Sequence, residues 1–365
     1  MASQDARSVR LTRREAIGLL GFGGGLVSTL RGDAGLAAVA QAPARSRTIP
    51  KGAIIRTILK DVPPESLGSG HALIHEHLNV RDISPEKLLD AEGRTTAAVV
   101  DELRAAAKEG LSCIVDAGTT RRTQEQVDRV RQIATESGVH VVMGGGYFLV
   151  TNYPPAVIQM SEDQIADHLS QDAANQRWGA FGEIGSSMEM HPDERKMHRA
   201  VSKAHLRTGL PIFTHTPHES CAKCALDQMD LFESQGVNPQ KLCIGHVGDI
   251  LDDPRAETHK AIAKRGAFLG FDTVGHFIPS APKSTDHMKV GMILTLLEAG
   301  YEDHLLLSSD FAHQDCMKRS WGAGYSTVTT VFVPKLRYAG VKEATIRKIL
   351  FDNSRRFLAF VPKAA

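Results

Sequence analysis

From about Thr48 onward the chain repeats one pattern. A short apolar run ends on polar residues or glycine, and a segment follows in which apolar positions recur every three or four residues. The runs are Ala72–Leu78, Ser112–Ala117, Val139–Gly145, Ala180–Ile184, Pro211–His215, Leu242–His246, Ala267–Phe271 and Leu305–Ser309. Helical stretches between them include Ala97–Lys108, Thr123–Ser137, Glu194–Arg207, Pro254–Lys264 and Val290–Ala299, and a helix over Ala344–Phe357 closes the chain. Pro254 suits a first helical position, where its missing N–H costs nothing. Strands that alternate with helices pair in parallel, because a parallel partner needs a crossover. The repeats therefore predict an α/β fold, a single (β/α)8 TIM barrel in preference to a doubly wound sheet. No Pro/Gly/Ser tract divides residues 41–365, so they are read as one domain.

The first forty residues follow another pattern. Thr12-Arg13-Arg14 precedes an uncharged stretch from Ala16 to Leu30, too short and too glycine-rich to span a membrane. Ala38-Val39-Ala40 then supplies a small-x-small cleavage site. Residues 1–40 read as a twin-arginine-type signal peptide, with processing near Gln41 and a periplasmic or secreted product.

Composition changes this picture little. A chain of 365 residues, 42% hydrophobic, buries a large core without disulfide staples. With 43 basic against 42 acidic residues, no nucleic-acid partner is indicated. The partners expected are a small-molecule substrate and at most a second copy of the chain, with no membrane span after processing. Cys221 and Cys224 form a C-x-x-C where a loop meets a helix, open to three readings: a disulfide or redox pair, half a metal site, or two unpaired small residues. No second C-x-x-C exists to complete a zinc knuckle.

The chemistry gathers at the strand ends. The first strand ends His75-Glu76-His77, and strand alternation points both histidines into the barrel mouth and Glu76 away. The fifth ends Thr214-His215-Thr216, the sixth Gly245-His246-Val247 and the eighth Ser308-Ser309-Asp310. Glu183 stands alone in the apolar fourth strand, and a buried carboxylate needs a partner or a metal. Each residue alone could be a satisfied core group. All six at the face where barrel enzymes place their active sites suit two zinc-like ions.

These segments identify a resemblance. Ile74-His75-Glu76-His77-Leu78, Pro211–Thr216, Cys243–His246, Gly270–Thr273, Leu307–Asp310, Phe332–Arg337 and Asn353–Leu358 occur in the order and spacing of the phosphotriesterase family of the amidohydrolase superfamily, over about Gly70 to Leu358. The resemblance implies two divalent metal ions, zinc first among them. His75, His77 and Asp310 would hold the more buried ion, and His215 and His246 the more exposed one. Glu183 would bridge both, in place of the carboxylated lysine of the best-known members, as in the phosphotriesterase-homology branch. It further implies a metal-bridging hydroxide as nucleophile, with Asp310 and Glu183 as the catalytic carboxylates and Asp310 as general base. Family members relay the proton through a histidine and an aspartate. Asp249 matches the aspartate, but Thr273 holds the histidine's place, which leaves His276 as a substitute to weigh against a plain loop histidine. Tyr147 matches a pocket aromatic, and Asp272 and His276 are placed with it as substrate-binding. His191, His198 and His205, seven apart, read as a solvated helix face.

The expected function is hydrolysis of an ester-type bond in a lactone, carboxylic ester or organophosphate. Phe277, Ile278, Trp321 and Tyr325, in the loops after strands seven and eight, favour an apolar substrate. The competing expectation is an exported metal- or solute-binding barrel without activity. A barrel that had lost its chemistry is expected to lose a ligand, and none is missing.

Overall fold

The computed structural model describes residues 48–79, 95–118, 122–276 and 283–363. The expected signal segment, Phe277 and Ile278 lie outside them. Eight parallel strands form one sheet: β1 (His71–Glu76), β2 (Leu111–Asp116), β3 (His140–Gly145), β4 (Trp178–Gly185), β5 (Ile212–His215), β6 (Leu242–Ile244), β7 (Phe268–Phe271) and β8 (Leu305–Leu307), each paired with the next in sequence. The crossovers are α1 (Thr96–Lys108), α2 (Gln124–Ser137), α3 (Glu162–Asn175), α4 (Pro192–Thr208), α5 (Ala222–Ser234), α6 (Glu257–Arg265) and α7 (Asp286–Glu298). Thr123 and Ser161 cap α2 and α3 with reciprocal capping boxes, so both helices start where their polar signals stand.

Alternation along the strands builds two cores. Ala72, Cys113, Val115, Ala180, Phe213, Cys243, Phe268 and Leu306 face the barrel interior, where the tail residues Phe357 and Leu358 plug it. The intervening Leu73, Ile114, Phe181, Ile212, Leu269 and Leu305 meet the helices outside. The barrel closes between β1 and β8 through backbone hydrogen bonds just past β8, from the Asp310 N–H to the His75 carbonyl at 3.2 Å and from the His77 N–H to the Phe311 carbonyl at 3.0 Å, and through side chains. The Ser308 hydroxyl accepts from the backbone N–H of Ile74 at 2.6 Å and of His75 at 2.9 Å. The buried Glu76 carboxylate accepts from the N–H of Ser309 and of Phe311, both at 2.7 Å. Glu76 thus points away from the mouth and clamps the seam; the register shifts between Leu73 and Glu76, so Glu76 does not share the inward side of Ala72.

Two local expectations are corrected, and the closing helix is found. Pro254 lies in the turn before α6, which starts at Glu257 behind Ala256 in a left-handed conformation. His198 and His205 are buried, not solvated: their Nδ1 atoms lie 2.8 Å from the Glu194 carbonyl and 2.6 Å from the Leu210 carbonyl, and His191 caps α4. α4 packs on both α3 and α5, so its polar-looking stripe faces protein. The closing helix runs from Glu343 to Leu358, with 348–353 wound more loosely as a π-helix. Its Asn353 amide donates to the carbonyls of Glu302 and Leu305, each at 2.8 Å, and so fastens the tail under β8.

Candidate active site

The strand ends bring the six expected ligands together. Glu183, near the end of β4, occupies the centre. Its Oε2 lies 3.1 Å from His75 Nε2 and 3.1 Å from His215 Nδ1, and its Oε1 lies 3.5 Å from His77 Nε2. Asp310 Oδ1 approaches His77 Nε2 at 3.0 Å, and His246 Nε2 approaches His215 Nδ1 at 2.7 Å. His246 and Asp310 both adopt left-handed backbone, with φ of 55° and 50°. Non-glycine residues adopt that conformation at a cost, and such strain concentrates at functional sites. Gly245, before His246, must be glycine: a Cβ there would lie 2.0 Å from the Thr214 carbonyl oxygen and prevent β6 from approaching β5.

Asp272 fixes which nitrogens face inward. Its Oδ2 lies 3.1 Å from His75 Nδ1, and its Oδ1 lies 2.8 Å from His246 Nδ1 and accepts from the His246 backbone N–H at 2.8 Å. A carboxylate only accepts, so both rings carry hydrogen at Nδ1 and turn their Nε2 atoms toward Glu183. Without metal, burial opposes the imidazolium charge, but the Glu183 and Asp272 carboxylates raise His75 well above its usual value and His246 to about 10, so each Nε2 holds a proton toward Glu183 in the place that a metal ion would take. Histidines oriented by a carboxylate at the outward nitrogen are the usual ligands of a structured metal site. The residues therefore fit divalent metal ions. The Asp272 carboxylate sits beside the rings it orients, not on a substrate surface.

Electrostatics agree with an anionic frame. Burial works against ionisation of Asp310 and Glu183, but the surrounding histidines hold both carboxyls well below the usual range. Burial, with His246 beside it, pushes the His215 imidazole down to about 4, so that it stays neutral and able to ligate.

Tyr147 is buried after β3 with its ring edge-on to Tyr153, 6.0 Å between centroids. Among the aromatics that touch the cluster are the next residue, Phe148, whose ring stands edge-on to His215 at 4.5 Å, and Phe213, edge-on to His75 at 5.3 Å. The His276 ring bonds the Ser309 carbonyl through Nε2 and lies 3.5 Å from Cys316 Sγ through Nδ1.

His218, on the loop between β5 and α5, stands where a relay residue is needed. Its Nδ1 is 3.0 Å from Asp249 Oδ2, and its Nε2 is 3.9 Å from Asp310 Oδ2. The ring lies 4.3 Å from that of His246. Thr273 Oγ1 donates to Asp249 Oδ1 at 3.0 Å, so the residue in the histidine's usual place still holds the aspartate. Burial opposes the charge on Asp249, but the His218 hydrogen bond and the nearby Lys289 ammonium keep its carboxyl below the ordinary range. Three residues beyond His218, Cys221 and Cys224 form a disulfide at the start of α5.

A barrel with this cluster at its strand ends belongs among the metal-site hydrolases. The sequence profile of the phosphotriesterase family matches residues 55–358, and the chain is a member of that family. It is 25% identical over 348 residues to the N-acetyltaurine hydrolase of Tetraodon nigroviridis, covering 84% of this chain and 98% of that protein. Crystal structures that resemble it include two hydrolase-family relatives. The phosphotriesterase homology protein of Escherichia coli, with phosphate in its active site, is 26% identical at a TM-score of 0.69, over 80% of this chain and 99% of that one. A lactonase from Listeria monocytogenes is 26% identical at a TM-score of 0.70, over 84% and 99%. With these relatives the chain is a hydrolase of ester or amide bonds; the amide class was not among the sequence expectations.

Proposed function

We propose that the protein hydrolyses a carboxylic ester, lactone, organophosphate or N-acyl amide with two divalent metal ions held by His75, His77, Asp310, Glu183, His215 and His246. The observation that carries this reading is the inward aim of the His75 and His246 Nε2 atoms at Glu183, fixed by Asp272. The nitrogen-rich donor set favours zinc. Bound ions would lower the pKa of water toward neutrality and polarise the scissile carbonyl or phosphoryl oxygen.

The chain's own residues manage the proton. Asp310 presents Oδ1 to His77 and leaves Oδ2 on the side of His218. The proton of the attacking water is taken at Asp310 Oδ2 and passed to His218 Nε2, while Asp249 holds the hydrogen at His218 Nδ1. Oδ2 and Nε2 lie 3.9 Å apart, a gap that a bridging water or a small turn of the His218 ring would close. Metal-loaded protein assayed on lactones, aryl esters, N-acyl amides and phosphotriesters tests the reading. Turnover of at least one class that chelation abolishes is expected; inactivity across all four would overturn it.

We also propose that residues 1–40 direct export and are removed. The Cys221–Cys224 disulfide supports this, because such bonds persist in oxidising compartments.

A further inference from the structure

Lys289 is a cation almost completely withdrawn from water, at 1% exposure, in the first turn of α7. A buried ammonium is costly unless paired and hydrogen-bonded. Its Nζ donates to the Thr273 carbonyl and lies 3.4 Å from Asp249 Oδ1. Room for its stem exists because residue 248 is glycine: a Cβ there would come within 3.3 Å of two Lys289 carbons. Lys289 and Thr273 thus both occupy the Oδ1 side of Asp249, and Oδ2 is left to His218. An acceptor at Nδ1 fixes the tautomer, so the Nε2 lone pair of His218 is the one that faces Asp310.

We propose that Lys289 is a positioning residue for hydrolysis: its buried charge balances and orients the Asp249 carboxylate, which sets the ring nitrogen that His218 presents to Asp310. The proposal rests on the hydrolase reading above. The polar line Lys289–Asp249–His218–Asp310 enters the site from α7 and the β5–α5 loop, and no metal ligand but Asp310 takes part in it.

The test compares Asp249→Asn, Lys289→Met and the double variant, all metal-loaded. Outer partners of this kind commonly cost 10–100-fold in activity when removed, so Lys289→Met should lower kcat at least tenfold with KM and bound metal unchanged. Because Lys289 acts through Asp249, the double variant should be no slower than Asp249→Asn alone. It also replaces both buried charges together, which keeps the barrel folded if Lys289→Met alone does not fold. Parental kcat in Lys289→Met, or a double variant slowed by the product of the single effects, would overturn the proposal. A readout that needs no substrate is the slowly exchanging His218 Nδ1–H proton, followed by NMR in protein labelled with 15N-histidine. It should be seen in the parent and lost in Lys289→Met. Its persistence there overturns the positioning role even if no substrate is found, whereas a parent without any turnover refutes the hydrolase reading separately.

Discussion

Replacing Asp272 by asparagine perturbs the site through a single atom pair. The carboxylate is buried and meets two ring nitrogens and one backbone N–H within 3.1 Å. Hydrogen bonds to a charged group contribute ~1.5–3 kcal/mol each. Asparagine keeps one acceptor oxygen but turns the other position into a donor, which cannot face a ring N–H. The ring left with that donor, His75 or His246, must move its hydrogen to Nε2, where it points at Glu183 and displaces a metal. One ligand out of order corresponds to about 10–100-fold in metal affinity, or about 1.4–2.8 kcal/mol. Competition with a chromophoric chelator measures it directly, alongside a melting curve to show that the barrel is folded. Affinity within threefold of the parent would refute the account of Asp272 as the residue that sets both tautomers.

Asp310→Asn should keep metal at least in part while kcat falls by roughly 10²–10⁴, the usual cost of a lost general base; a near-parental kcat would remove Asp310 from that role. Stability should fall in acid through His198, whose burial depresses its pKa from 6.5 to about 4. The folded state then binds fewer protons than the unfolded one between those values. Stability is full above pH 6.5, and about 3 kcal/mol is lost as pH falls toward 4. His198→Leu should flatten the denaturation midpoint between pH 7 and 4.5, and an unchanged slope would show that another group governs it. Protein recovered from the periplasm of the native cell should have an intact mass beginning near Gln41; a full-length cytoplasmic product would refute export.

The barrel was legible because its strands and helices obey short periods, and the six clustered residues because they stand at strand ends. Strand runs show as apolar segments, and each clustered residue stands at or just past the end of one; parity alone does not place them, because the register shifts between Leu73 and Glu76 and between Phe181 and Ile184. Asp272 was visible as a residue but its work was not, since which side of a carboxylate faces a histidine depends on the register of three strands. His218 carried a faint signal, a histidine three residues past a ligand and after Pro217. Nothing local says that its loop folds back over Asp249. Lys289 gave none: a lysine in an otherwise apolar helix reads as a surface residue, and its burial follows from Gly248 opposite it. His198 and His205 misled for the opposite reason: the side of α4 that carries them turns onto protein, with the His198 ring 5.0 Å from that of Phe232 in α5.

The central claim is that hydrolysis depends on two metal ions held at this cluster. Metal-free protein titrated with zinc while turnover of its best ester or amide substrate is followed tests it most directly. Activity should be absent at the start and reach its plateau at two equivalents. Full turnover in the chelated protein, or none at any zinc loading, would contradict it.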